Sequence, residues 1–178
     1  MKSIFTTAIL VLAFLAAPQA WAQFPGLQKS PTDIAYARAD RNATPDIKVI
    51  YSRPQKNGRV IFGDLEAYGK VWRTGADEAT EIKLYSDMMM GGKRIEAGTY
   101  SLFTIPGEEE WTVILSSQTD VWGAYSYDES KDVARIQVPA GKGDTLEVFS
   151  IMFKPVDNGY HMVMGWDDTR VEVPFKKA

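Results

Sequence analysis

The sequence predicts an all-β protein, a single-domain β-sandwich of about eight to ten antiparallel strands, with a jelly roll as one arrangement of them. Three observations carry this. Apolar and polar residues alternate with period two in one short run after another. Turn-forming residues separate those runs at close spacing. The 3.6-residue spacing of an amphipathic helix is almost absent after residue 31.

Residues 1–22 stand apart from the fold. Lys2 supplies a positive start, residues 9–17 are unbroken apolar, Pro18 breaks the run, and Ala20-Trp21-Ala22 places small residues at a cleavage site. That order of parts predicts a secretory signal peptide. The apolar stretch is too short to span a bilayer, which takes about 20 residues. Residues 23–31 read as a flexible lead-in, and residues 32–178 as the β-sandwich domain.

Within the domain, Ile47, Val49 and Tyr51 alternate with Lys48 and Ile50, and Ile82 and Leu84 with Glu81, Lys83 and Tyr85. Each pattern suits a strand with one face on a core. Pro106-Gly107 predicts a type II turn joining segments 99–105 and 111–116, with Glu108, Glu109 and Glu110 in the loop. Asp157-Asn158-Gly159 joins segments 146–154 and 160–166 as a hairpin. Gly91-Gly92 and Gly141-Lys142-Gly143 predict two further turns, and Val171, Val173 and Phe175 a last strand.

Composition excludes more chemistry than it assigns. With no cysteine there is no thiol nucleophile, thiolate metal site or disulfide, and no lipidated cysteine to anchor the mature chain. His161 is the only histidine, so a zinc site needing several imidazoles cannot form within one chain. The formal net charge of −3 argues against a nucleic-acid partner. No phosphate loop or Gly-x-Ser-x-Gly elbow occurs. Asp128, Ser130 and Asp132 alternate like the start of a calcium loop, yet the glycine and final acid of that loop are missing. Met88-Met89-Met90, with Met162 and Met164, reads as core filling before it reads as a copper site. No metal and no cofactor is expected.

Motif density peaks between Tyr51 and Thr80. Tyr51-Ser52-Arg53-Pro54 is followed by Gly58-Arg59-Val60-Ile61-Phe62-Gly63 and then by Trp72-Arg73-Thr74-Gly75-Ala76-Asp77-Glu78. Tyr100-Ser101-Leu102-Phe103-Thr104-Ile105-Pro106 and Trp122-Gly123-Ala124-Tyr125 come later. These blocks resemble the domain-of-unknown-function family 2911, a group of exported bacterial proteins, over nearly the whole mature chain. The resemblance implies an exported β-rich domain and no particular activity. Asp77 stands where that family usually has Asn, Glu66-Ala67 where Val-Pro is usual, and Ser116 where Asn is common.

The candidate ligand-binding residues are Arg53, Trp72, Arg73, Asp77, Glu78, Trp122 and Tyr125. Arginine offers a planar fork to oxyanions, and aromatic faces stack on sugars. The competing reading is an internal Arg–carboxylate network that pins an irregular connection. Three functions follow. The first is a non-enzymatic protein of the envelope, periplasmic or secreted, that binds a small-molecule or glycan ligand. The second is a carboxylate-dependent glycan hydrolase, pairing Asp77 or Glu78 with Glu66, Glu81 or Asp120 across a cleft. The third is a structural or protein-interaction module, which an exposed apolar patch would mark.

Overall fold

The computed structural model describes residues 24–178, so the predicted signal peptide lies outside the described residues. The described chain is all-β, with nine antiparallel strands and one short 3-10 turn at Glu129–Lys131. The strands are β1 (Thr32–Ala37), β2 (Ile47–Ser52), β3 (Thr80–Leu84), β4 (Met88–Met90), β5 (Lys93–Ile95), β6 (Gly98–Ile105), β7 (Glu110–Ser116), β8 (Asp132–Val156) and β9 (Gly159–Lys177). They form one sheet in the order β1-β2-β3-β6-β7-β8-β9-β4-β5.

Alternation sets the faces as expected. In β2 the side chains of Ile47, Val49 and Tyr51 are buried, and in β3 those of Thr80, Ile82 and Leu84. Register keeps these rows together, since Val49 faces Ile82 and Ile82 faces Tyr100. The core takes side chains from both arms of the sheet. Val49, Leu102 and Val113 from β2, β6 and β7 share it with Phe149, Met162 and Val173 from β8 and β9. One sheet therefore curls so that its two arms enclose a common interior, which no single strand face would bury. Met88, Met90, Met162 and Met164 are all buried in that interior, as core filling requires.

The long strands carry the curl. β8 runs for 25 residues, first along β7 and then along β9. The Gly141-Lys142-Gly143 turn expected between two strands is instead a break in register inside β8, between Lys142 and Leu146. An irregularity of this kind bends a strand without ending it. β9 doubles back near Asp167, whose φ is 50°. Lys177 N then donates to Asn158 O at 2.9 Å, and His161 Nδ1 meets Glu172 Oε2 at 3.1 Å.

One turn differs from the sequence reading, and the Asp157-Asn158-Gly159 hairpin forms as expected. Gly107 is not among the glycines with positive φ, so Pro106-Gly107 does not form the type II turn. Its missing side chain serves close approach, because a Cβ there would lie 2.4 Å from Glu110 O. At the β8–β9 hairpin the left-handed residue is Asn158, with φ 58°. Gly159 is needed because a Cβ would lie 2.0 Å from Phe175 O on the returning strand.

Candidate functional site

An irregular connection between β2 and β3 builds the site in two stretches. The first, residues 53–66, leaves the end of β2 and is tied to the far arm of the sheet. Lys56 N donates to Glu147 O at 2.7 Å, and Lys56 forms an ion pair with Asp167. Arg59 points its guanidinium back onto this stretch, donating to the carbonyls of Lys56 and Gln55. Glu66 N donates to Ile61 O at 2.9 Å, which sets Glu66 on the wall of the connection.

The second stretch, residues 72–80, is a loop tied to itself, to β6 and to the 121–123 segment. Trp72 N donates to Thr104 O at 2.7 Å, and Thr104 N returns to Trp72 O at 2.9 Å. The indole N–H of Trp72 donates to Gly75 O at 3.1 Å, and Thr80 Oγ1 to Thr74 O at 2.7 Å. Thr74 and Asp77 both hold left-handed backbone, with φ 56° and 61°. For β-branched Thr74 that conformation is strained, and it persists only because the surrounding bonds over-determine it. Strain of this kind gathers where a chain must present particular side chains.

Between the two stretches lies a cleft of about 360 Å³, lined by Arg59, Glu66, Arg73 and Asp77 with Gln55, Asn57 and, from the lead-in, Lys29. The buried indole of Trp166 also contributes to the lining. Arg73 Nε is buried with no hydrogen-bond partner among the described residues. Burial pushes the Glu66 carboxyl up to about 7, against the opposing pull of the Arg73 and Arg59 guanidiniums. None of the ion pairs among the described residues includes Arg59, Glu66, Arg73 or Asp77.

The other sequence-predicted residues are dispersed. Trp72 is 3% exposed and sits in an aromatic cluster, stacked on Trp166 at 6.0 Å and edge-on to Trp111 and Phe149. It offers no face to a ligand, so the platform expected of it is not there. Arg53 spends its guanidinium on the fold, donating to Phe149 O, Asp33 Oδ2 and Ser150 Oγ at 3.1, 3.0 and 2.8 Å. Here the competing reading of an internal clasp describes the residue.

Glu78 and Asp77, although adjacent in sequence, line different pockets. Glu78 lines a separate pocket of about 220 Å³, with Glu81, Asp120 and Ser101. Trp122 and Tyr125 are 60% and 88% exposed on a loop that bridges to Glu78, and neither lines the Arg73 cleft. No group of three or more His, Cys, Asp or Glu side chains among the described residues is placed to hold a metal ion. Asp128 serves as a cap, accepting from Ser130 N at 2.9 Å.

The model of a family of unknown function, DUF2911, matches residues 30–175. The chain belongs to the DUF2911 family. No curated protein and no solved structure matches it. The matched span holds β1 to β8 and β9 as far as Phe175, with all but one of the cleft residues named above, Lys29 lying just outside.

Gln55, Asn57 and Lys29 were not candidates on sequence grounds. The nearest signal was the pair of turns around Gly58 and Gly63, which brings residues 55–66 back beside the Arg73 loop.

Proposed function

We infer that this DUF2911 domain is an exported, non-enzymatic protein of the bacterial envelope that binds a glycan or another polar small molecule in the Arg73 cleft. One observation supports the reading above others. The Arg73 and Glu66 side chains line an open cleft with no hydrogen-bond or ion-pair partner among the described residues, whereas those of Arg53, Lys56 and Arg135 elsewhere are all paired. A buried donor left unsatisfied costs about 1–3 kcal/mol, more when charged, and a ligand acceptor restores that bond. The side chains around the cleft mix guanidinium donors, carboxyl groups and amides, a set that matches hydroxyl-rich ligands. The sequence of residues 1–22 supports export.

The test is a glycan array followed by calorimetry on the mature chain, with fractionation of the producing cells. The expected result is a saturable ligand whose binding Arg73→Leu abolishes while far-UV circular dichroism stays unchanged. Binding that survives this substitution, or protein left uncleaved in the cytosol, overturns the reading. A glycan hydrolase is the second reading, favoured by Glu66 and Asp77 lining one cleft. In it Glu66, held protonated by burial, donates a proton to the leaving oxygen while Asp77 acts as nucleophile or base. Release of reducing ends from an array hit, lost in Glu66→Gln, would decide for it.

A further inference from the structure

We propose that the ligand of the Arg73 cleft carries an oxyanion, a carboxylate or phosphate group, which docks on the guanidiniums of Arg73 and Arg59 in exchange for the charge of Glu66. The inference rests on the binding reading above and adds the ligand's charge class. Three cationic side chains line the cleft, Lys29, Arg59 and Arg73, against two carboxyls, Glu66 and Asp77. Arg59 is oriented by two backbone carbonyls, which leave the remaining N–H groups of its fork for another partner. Arg73 holds a buried N–H that no described residue satisfies. Two guanidiniums so placed suit a planar or tetrahedral oxyanion better than a neutral hydroxyl, because charge-assisted bonds are roughly twice as strong as neutral ones.

Glu66 competes for the same field. Its carboxyl feels both Arg73 and Arg59, yet it forms no ion pair with either. Burial keeps it protonated up to about pH 7. A bound oxyanion disfavours the ionised form further, so binding takes up a proton and strengthens as pH falls. The other charged groups lining the cleft are Lys29, Arg59, Arg73 and Asp77. On the protein side Glu66 sets the pH dependence, and galacturonate reads it directly because a phosphate probe has its own second ionisation at about 6.

The experiment measures affinity by calorimetry for galacturonate against galactose and for glucose 6-phosphate against glucose, at pH 6 and pH 8. The expected result is that at least one acidic sugar binds, its neutral counterpart does not, and its affinity rises roughly five- to tenfold from pH 8 to pH 6. Glu66→Gln should flatten that dependence and bring the pH 8 affinity up to the pH 6 value. Inorganic phosphate binding alone, lost in Arg73→Leu, would also support the proposal and identify the free anion as ligand. Neutral sugars binding as well as acidic ones, or an acidic ligand whose affinity ignores both pH and Glu66→Gln, would overturn it while the binding reading stood. If none of the probes binds and array hits ignore Arg73→Leu, both fall together.

Discussion

Trp72 and Trp122 carry the same side chain in two motif blocks, and their surroundings give them opposite roles. Trp72 touches Phe62, Trp111, Phe149 and Trp166, and its N–H is used within its own loop. Trp72→Ala should therefore cost about 3–5 kcal/mol in chemical denaturation. Trp122→Ala on the exposed loop should stay within about 0.5 kcal/mol of the parent. Glu66 makes a different prediction. In the unfolded chain it ionises near 4.5 and in the folded one near 7. The unfolded state thus loses its proton first as pH rises, so stability is highest below about 4.5 and declines up to about 7. Glu66→Gln removes this penalty, and its Tm relative to the parent should rise from pH 4 to pH 8. A difference in Tm that stays constant across that range would show that Glu66 is solvated.

Single elements explain why a loop, and no regular strand, presents Arg73 and Asp77. Segment 72–80 has two left-handed non-glycine residues and a ring of internal hydrogen bonds. Gly75 sits at its centre, where a Cβ would lie 3.0 Å from Ser52 O and 3.1 Å from Thr80 Oγ1. Gly75→Ala requires the loop and the end of β2 to part by a few tenths of an ångström. The expected outcome is a modest loss of stability, about 1–3 kcal/mol by denaturant titration, together with a larger proportional loss of ligand affinity. If affinity is untouched while stability falls, the loop does not position the cleft. The Asn158 turn and the doubled-back β9 show the same principle, with glycine chosen for the backbone that passes close by.

Across the whole molecule, a few polar contacts tie distant parts of the chain. Asp46, just before β2, accepts from Tyr160 Oη at 2.6 Å at the start of β9 and pairs with Lys177 at 3.0 Å at its end. Burial raises the Asp46 carboxyl, but the hydrogen bonds from Tyr160 and Lys177 together hold it below its ordinary value. The same contact, with burial, pushes the Tyr160 hydroxyl up to about 12. A depressed carboxylate stabilises the fold above its unfolded pKa near 3.8, and that stabilisation is lost as pH falls through the lower folded value. Asp46→Asn should accordingly lower Tm at pH 7, and the gap to the parent should close as the pH is taken below 3.8. Thermal melts across that range check it, and a gap independent of pH would assign the effect to packing.

How much was legible from sequence follows from the range of the forces involved. Period-two alternation is a local pattern, and it marked β2 and β3 because each buries one row of side chains on a shared core, whereas β6 and β7, buried largely on both faces, were found from the turn residues that join them. It also left β8 and β9 in pieces, since a strand that bends without ending carries turn residues inside it. At the site, the motif block around Arg73 was visible as a block, and the strained loop is its physical content. Whether Arg53 was a ligand group or a clasp depended on Asp33, Phe149 and Ser150, two of them about a hundred residues away, which no spacing rule connects. The amino-acid sequence by itself determined the all-β class, the family, and the chemistry excluded by one histidine and no cysteine. Only the tertiary structure decided which charges are spent on the fold and which line a cleft, because pairing and desolvation depend on what the curled sheet brings together in space.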